Sequence, residues 1–331
     1  MKSEGKKVVI ALGGNAINLP HQRGTFKEQY DHIRSACVPI MELIRNGVSV
    51  VLTHGSGPQV GNLLIQEDAA ADLVPPQPTD ICAAMVQGQV GYMIQQAISN
   101  TLIDIGLSIE AVTVISRVLI REDDPAFANP SKPVGPFYTA DQAARYVRER
   151  GYTMKQIYPG NDRSFRRVVP SPYPLGIIEK NIIRHLVAEG TVVIACGGGG
   201  IPVYLRKNGH YHGVEAVVDK DLCAAKLGEE VGADILLILT DTSYVWLNFA
   251  SPEATPLVSV DLHTMKGYLK EGQFLEGTMK PKVEACVRFL ETGGERAVIA
   301  SLADVAPAFQ GTAGTQIIPG GKRPERKGTT K

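Results

Sequence analysis

Residues 8–16 read VVIALGGNA, a continuous run of aliphatic residues that stops at two glycines. A strand buried on both faces gives such a run, whereas a strand with one face in water alternates apolar and polar residues. Glycine lets the following backbone turn sharply and approach a ligand closely. The stretch therefore predicts a central strand of a parallel sheet, with a ligand-binding loop at its carboxyl end.

Similar runs recur along the chain, separated by segments with the 3.6-residue period of amphipathic helices. The predicted strands are 7–12, 48–53, 111–116, 191–196, 235–240 and 297–301. The predicted helices are 25–46, 58–72, 79–105, 177–189, 220–231 and 281–292. This alternation predicts an α/β fold, in which helices cover both faces of a mainly parallel open sheet.

The length of 331 residues allows two domains or one large domain with an insertion, and we predict a single domain over 1–331. Residues 121–167 interrupt the pattern, because they are rich in Pro, Asn, Asp and Tyr and hold one helix candidate, 139–150. Two interpretations stay open for them: a small inserted subdomain that serves as a lid, or a long surface excursion. Residues 320–331 predict a flexible, solvated tail.

The composition excludes several classes of protein. Lys plus Arg and Asp plus Glu are equal at 34 each, so no global field attracts nucleic acid or a membrane surface. The apolar run near the amino end is too short for a signal peptide, and no stretch is long enough to span a membrane. Five widely spaced cysteines without a C-x-x-C pair argue against disulfides and structural zinc. We therefore expect a cytoplasmic protein.

Three glycine clusters each follow a predicted strand: LGGNA, THGSGPQVG and CGGGGIP. In a parallel sheet these positions share one edge, where successive backbone N–H groups can face an anion. Together they predict a polyphosphate site. No P-loop motif is present, and Gly55, Gly57 and Gly61 form only a weak variant of the dinucleotide fingerprint. An NAD(P) oxidoreductase is therefore the least favoured alternative.

A few charged residues have an unusual context. Lys220 lies in VVDKD at a predicted helix start, and Lys282 lies near the start of helix 281–292, where a cation opposes the helix dipole unless an anion compensates. Lys132 stands between two prolines in the 121–167 segment. Each could also be an ordinary surface lysine. Asp241 ends a predicted strand, as a ligand contact or a turn residue, and His54 beside the second glycine loop could hydrogen-bond a ligand. No set of ligands with metal spacing is present, so no protein-built metal site is predicted.

The three glycine clusters and VVDKD share the chain with the motifs NPSKPVGPFY, RRVVPSP, LLILTD and GTMKPKVEA. With these motifs, the chain closely resembles the carbamate kinases of the amino-acid-kinase superfamily nearly end to end. The resemblance implies a three-layer αβα sandwich and reversible phosphoryl transfer between carbamoyl phosphate and ADP, with Mg²⁺, giving ATP and carbamate. It also implies a homodimer, and a role in ATP formation from nitrogen-compound breakdown. Gly88 and Gly91 could bring a partner helix close or serve internal packing.

The resemblance also implies roles for single residues. Lys220 and Lys282 would bind the transferred phosphoryl group, with Asp221 orienting both ammonium groups. Lys132 would reach in from the insertion. The residues expected at the carbamoyl phosphate end are Gly13, Gly14, Asn15, Gly55, Ser56, Gly57 and Gln59. Those expected near the nucleotide are Gly198, Gly199, Thr240, Asp241, Tyr244 and Met279.

Two departures from the family pattern keep alternatives open. Ser56 replaces the usual Asn, and Lys280 replaces the usual Gly, which would place a third ammonium group near Lys282 and the phosphates. Such changes are compatible with a kinase of another small acid, or with a non-catalytic protein that binds carbamoyl phosphate or nucleotide.

Overall fold

The computed structural model of the protein describes residues 5–19, 22–157 and 159–321. The side chain of Asn15 and the predicted tail beyond residue 321 lie outside the described residues. The strands are β1 (Lys7–Leu12), β2 (Ser49–His54), β3 (Ala111–Val114), β4 (Arg117–Leu119), β5 (Lys132–Thr139), β6 (Met154–Gln156), β7 (Arg163–Val169), β8 (Gly176–Ile177), β9 (Val192–Ala195), β10 (Ile201–Leu205), β11 (Tyr211–Gly213), β12 (Ile235–Thr240), β13 (Val245–Leu247), β14 (Thr255–Leu257), β15 (Ser259–Asp261), β16 (Arg296–Ser301) and β17 (Thr315–Ile318). The helices are α1 (Phe26–Arg45), α2 (Gly57–Ala70), α3 (Thr79–Asp104), α4 (Ala140–Arg150), α5 (Lys180–Ala188), α6 (Lys220–Val231), α7 (Leu262–Lys270), α8 (Met279–Glu291) and α9 (Val305–Gln310).

The main sheet has the strand order β15-β17-β16-β12-β1-β2-β9-β3. All of its pairs are parallel except β16 with β17. Alternate residues of β1 enter two different hydrophobic cores, with Val8 and Ile10 on the side of α1 and α3, and Val9 and Ala11 on the side of α6 and α8. The predicted α/β class, with helices on both faces of a mainly parallel sheet, is therefore confirmed.

Each predicted strand and helix corresponds to an observed element, but other elements were missed, among them β5, β7 and α7. Strands β1 and β12 and helix α6 have the predicted bounds, whereas the helix expected from residue 177 begins at Lys180. A small sheet of order β11-β10-β4-β8, the β13–β14 hairpin and the strands β15 and β17 were not predicted. Their two to five residues are too few to show a period, and neighbouring strands rather than local sequence stabilise them.

The segment 121–167 contains regular structure of its own. Strands β5, β7 and β6 form an antiparallel sheet, with α4 between β5 and β6 in the chain. A capping box at Thr139, which accepts from the backbone N–H of Gln142, begins α4. Strand β7 continues to Val169, two residues beyond the predicted boundary. The role of this insertion as a lid stays a prediction.

The carboxyl ends of the central strands bring their loops into contact. A Cβ atom on Gly13 would lie 2.9 Å from the carbonyl oxygen of Leu239, at the end of β12. A Cβ atom on Gly55 would lie 3.2 Å from the backbone nitrogen of Gly14. A side chain at Gly13 would displace neighbouring backbone, and one at Gly55 would fit tightly, because the loops after β1 and β2 pack against neighbouring backbone. Within the described ranges, no helix is both long and apolar enough to cross a bilayer.

The two glycines of α3 provide a test of its packing. A methyl group at Gly91 would overlap the side chain of Thr113 on β3, whereas at Gly88 it would meet nothing within 4 Å. We expect Gly91→Ala to lower the free energy of unfolding by about 1–3 kcal/mol, as overpacking does. Gly88→Ala should raise it by roughly 0.5–1 kcal/mol, because alanine loses less backbone entropy in a helix. Urea unfolding of both variants measures this, and equal effects of one sign would contradict the packing described.

Candidate active site

One buried carboxylate binds two ammonium groups at the centre of the molecule. Asp221 accepts from Lys220 Nζ at 2.6 Å through Oδ1, and from Lys282 Nζ at 2.9 Å through Oδ2. Lys220 and Asp221 are the first two residues of α6, and Lys282 lies in the first turn of α8. The anion that the position of Lys282 required is therefore Asp221. Both helix amino termini point to the same place, and their dipoles add positive potential there.

The neighbouring aspartate joins this cluster to the insertion. Asp219 caps α6, because its Oδ1 accepts from the backbone N–H groups of Asp221 and Leu222. Its other oxygen accepts from Lys132 Nζ, at the start of β5, at 2.7 Å. Three ammonium groups thus face two carboxylates. When all five are ionised, one positive charge is in excess, which suits an anionic ligand.

Burial and charge act in opposite directions on these groups. Burial raises the pKa of Asp221, but the ammonium groups of Lys220 and Lys282 outweigh it and hold that pKa at about 2. Burial lowers the pKa of Lys220 below its ordinary value, although the Asp221 carboxylate opposes this change. Asp221 is therefore ionised at neutral pH and is the group that keeps a proton on a buried lysine.

Two cavities meet at this cluster. The larger has a volume of about 1050 Å³ and the smaller about 290 Å³. Both are lined by Gly14, Lys220, Gly277 and Lys282. Gly277 has a φ of 71°, the left-handed region that glycine adopts without strain. The lysines thus stand where a ligand in one cavity would face a ligand in the other.

The walls of the two cavities differ in chemistry. Backbone from the glycine loops, together with Lys132 and Asp219, lines the smaller cavity. Aromatic and aliphatic side chains line much of the larger one, among them Trp246, Phe249 and Phe274. Backbone N–H groups and ammonium groups suit a small anion, and aromatic faces suit a flat base.

Most of the predicted site residues lie around these cavities. The smaller cavity is lined by Lys132, Gly14, Gly55, Ser56, Gly57, Lys220, Asp221 and Lys282. The larger is lined by Gly13, Gly14, Thr240, Asp241 and Met279, in addition to Lys220 and Lys282. Gly13, expected at the smaller ligand, thus lies in the wall of the larger cavity.

The third glycine loop lies elsewhere than expected. Gly198 lines the smaller cavity and not the larger, and Gly199 lines neither, because it packs against the carbonyl group of Val218. The strand order explains this placement. Strand β9 pairs with β2, so its loop joins the loop of β2, whereas the larger cavity lies beside the end of β12.

Three other residues that were expected to contact a ligand line neither cavity. Gln59 is buried and donates to Gln29 Oε1 at 2.8 Å, toward α1. Tyr244 is half-buried and lines neither cavity, whereas Trp246, two residues on, lines the larger. His54 is wholly buried: burial lowers its pKa to about 4, and its ring fills the space against Gly197. The His54 side chain packs between the glycine loop after β2 and the one after β9.

The sequence reasoning missed the aromatic wall of the larger cavity. Trp246 lies in the three-residue strand β13, and Phe249 and Phe274 lie in loops, so no period marks them. One signal was available, because Trp246 is the sole tryptophan of a chain with few aromatic residues and follows the strand end at Asp241 closely.

The two departures from the family pattern have different positions. Ser56 lines the smaller cavity beside Gly198. Lys280 lines neither cavity and pairs with Glu276 Oε1 at 2.6 Å on the surface. The ammonium group of Lys280, expected near Lys282, therefore lies in the wall of neither cavity.

Known proteins share this fold. The model of the Amino acid kinase family matches residues 6–301. The chain belongs to the amino acid kinase family. Carbamate kinase of Pyrococcus furiosus is 48% identical over 317 residues, covering 95% of this chain and 100% of its own length. Carbamate kinase 2 of Staphylococcus epidermidis is 42% identical over 94% of this chain and 99% of its own. The solved carbamate kinase from Giardia lamblia bound to AMP-PNP is 38% identical, with a TM-score of 0.90 over 96% of this chain and 100% of that one.

The Asp221 cluster gives this amino acid kinase a testable pH dependence. Asp221→Asn leaves two buried ammonium groups without their anion, so we expect a loss of about 3–5 kcal/mol in unfolding free energy at pH 7. The pKa of Lys220 falls further in the variant. Since the unfolded chain then binds more protons than the folded one, stability rises with pH from 7 to 10, more steeply than in the unmodified protein.

The control is Glu276→Gln, which removes the carboxylate paired with Lys280 on the surface and should cost about 0.5 kcal/mol or less. Urea titrations at several pH values measure both variants. A stability of Asp221→Asn that equals the parent at pH 7, or that falls as pH rises, would contradict the assignment.

Proposed function

We propose that this chain is a carbamate kinase, which transfers a phosphoryl group reversibly between carbamoyl phosphate and ADP to give ATP and carbamate. The observation that carries the proposal is the junction of two cavities at Lys220, Asp221 and Lys282. A phosphoryl transfer between two substrates needs such a junction, with cations where the moving group passes.

The larger cavity is the proposed nucleotide site. Its volume of about 1050 Å³ is ample for a nucleoside diphosphate, and the rings of Trp246 and Phe249 offer faces for the base. The AMP-PNP complex of the Giardia lamblia carbamate kinase supports nucleotide binding in this fold. The smaller cavity, with Lys132 and the amides of Gly55 and Gly57, is the proposed site of carbamoyl phosphate.

The proposed mechanism depends on positioning and charge. The transferred group passes through a loose transition state whose negative charge is spread over three equatorial oxygens. Lys220 and Lys282 would neutralise that charge from two helices, while Asp221 fixes both ammonium groups before substrate arrives. In the direction of ATP synthesis, the bond from phosphorus to the carbamoyl oxygen breaks and a bond to the terminal ADP oxygen forms. Carbamate leaves as an anion, so no general acid is needed.

Mg²⁺ is the metal we propose for this reaction. Mg²⁺ in kinases is usually held by substrate phosphates, waters and one or two carboxylates, where it neutralises phosphate charge. Within the described ranges, no group of three His, Cys, Asp or Glu side chains lies together. The residues therefore fit a metal that arrives with the nucleotide phosphates rather than one in a protein cage.

A cytoplasmic homodimer that forms ATP from the products of nitrogen-compound breakdown remains part of the proposal. For the dimer, Gly91 packs internally against Thr113, so it leaves no space for a partner helix. Ile81, Met85 and Tyr92 are exposed along the same helix, α3, beside Gly88. This face is the proposed contact between copies.

The proposal predicts which lysines are needed. Lys220→Met and Lys282→Met, which keep the apolar stem, should each lower kcat for ATP formation by about 10²- to 10³-fold, as removal of a transition-state donor does. Lys280→Met should retain nearly full activity, because its ammonium group pairs with Glu276 outside both cavities. The assay couples ATP formation from ADP, Mg²⁺ and fresh carbamoyl phosphate to a luminescent readout.

Circular dichroism of each variant serves as the folding control. Near-normal turnover in a folded Lys220 or Lys282 variant would remove that lysine from the mechanism. Absence of ATP formation by the unmodified, folded protein would reject carbamate kinase activity and favour another small acid or a binding role.

A further inference from the structure

The five residues Glu215–Asp219, here called the wall loop, form one side of the smaller cavity. Ala216, Val217, Val218 and Asp219 all line it, and the loop leads directly into Lys220. The position of this loop therefore sets the width of the smaller cavity.

The insertion holds the wall loop at both ends, and Pro170, which follows its last strand, holds it in the middle. At its last residue, Lys132 Nζ donates to Asp219 Oδ2 at 2.7 Å. At its first, Arg167 Nη2 donates to Glu215 Oε2 at 3.0 Å. Between them, the N–H of Val217 donates to the carbonyl oxygen of Pro170 at 3.0 Å. The second and third of these contacts belong to RRVVPSP, a motif that the proposed mechanism does not use.

The register of the small sheet explains why both cations reach the same loop. Lys132 is paired with Val169, and Val134 with Arg167, in the antiparallel ladder of β5 and β7. Directly paired residues, and residues two apart on one strand, lie on the same face of a sheet. One face of the insertion therefore presents Lys132, Val134 and Arg167 together, and the first two line the smaller cavity.

Arg167 is rigidly held. It is buried, and its guanidinium lies 3.9 Å from the ring centre of Tyr152. It also approaches Thr79 Oγ1 at 3.4 Å, and the second oxygen of Glu215 accepts from the backbone N–H and the hydroxyl of Thr79, each at 3.3 Å. Thr79 begins α3 and lines the smaller cavity. Arg167 and Glu215 thus join three walls of that cavity: the insertion, the wall loop and α3.

We propose that Arg167 is a positioning residue for the ligand of the smaller cavity, acting through Glu215 on the wall loop and on Thr79. None of these three residues lines the larger cavity. The effect is therefore specific to one of the two substrates. The identity of that substrate, carbamoyl phosphate, rests on the proposed function; the positioning role rests on the contacts of Arg167.

The test separates the Michaelis constants of the two substrates. Arg167→Met should raise KM for carbamoyl phosphate about tenfold, the size expected when a coupled network beside a site is broken, and leave KM for ADP unchanged. Glu215→Gln should act in the same direction. The double variant should be no worse than Arg167→Met alone, because both changes break one pair. The side chain of Glu215 is 53% exposed, so its variant provides the test if the arginine variant does not fold.

Arg163→Met is the matched control. Arg163 lies on the same strand, is exposed, and donates to the carbonyl oxygen of Phe137 within the insertion. It should change neither KM. An equal rise for both substrates, no rise for carbamoyl phosphate, or the same rise in Arg163→Met would overturn the proposal.

A second readout is independent of turnover. Amide hydrogen exchange in peptides that cover 79–86 and 215–222 should be faster in Arg167→Met and Glu215→Gln than in the parent and in Arg163→Met. Unchanged exchange in these peptides overturns the positioning role. If the unmodified protein makes no ATP from carbamoyl phosphate, the proposed function fails by itself, and hydrogen exchange still decides the role of Arg167.

Discussion

The structure depends on one buried carboxylate that holds two ammonium groups. Lys220 and Lys282 come from the starts of two different helices, where each cation opposes a helix dipole. Without Asp221 the two charges would repel each other in a poorly solvated place. With it, the amino termini of α6 and α8 converge on one point at the edge of the sheet. The excess positive charge can then serve an anionic ligand.

The central sheet makes this convergence possible. Strands β12, β1 and β2 are neighbours, so the loops that follow them meet at one edge, and glycine allows those loops to touch. The two cavities open on either side of the lysine cluster, one with aromatic walls and one with backbone amides and the insertion. A rigid scaffold with charges placed in advance is what phosphoryl transfer requires, because little of its barrier is lowered by covalent help from protein.

Local sequence was sufficient where one element carries the information. The continuous run at Val8–Leu12 predicted the central strand, and the helix-start context singled out Lys220 and Lys282, which the structure brings together on Asp221 in the walls of both cavities. Local sequence was insufficient where the position of a residue depends on the order of the strands in the sheet. Gly198 lines the smaller cavity and not the larger because β9 is next to β2, a pairing of segments about 140 residues apart. The direction of Lys280 likewise depends on its pairing with Glu276, and the link between Arg167 and Glu215 depends on tertiary contacts that no local pattern contains.

In the proposed mechanism, the phosphoryl group passes between the substrates at the lysine cluster. The most direct measurement is a crystal structure with ADP, Mg²⁺ and a planar phosphoryl mimic such as aluminium fluoride. We expect ADP in the larger cavity and the mimic at the junction, with its fluorides within hydrogen-bond distance of Lys220 Nζ and Lys282 Nζ. A mimic bound elsewhere, or ADP in the smaller cavity, would contradict it.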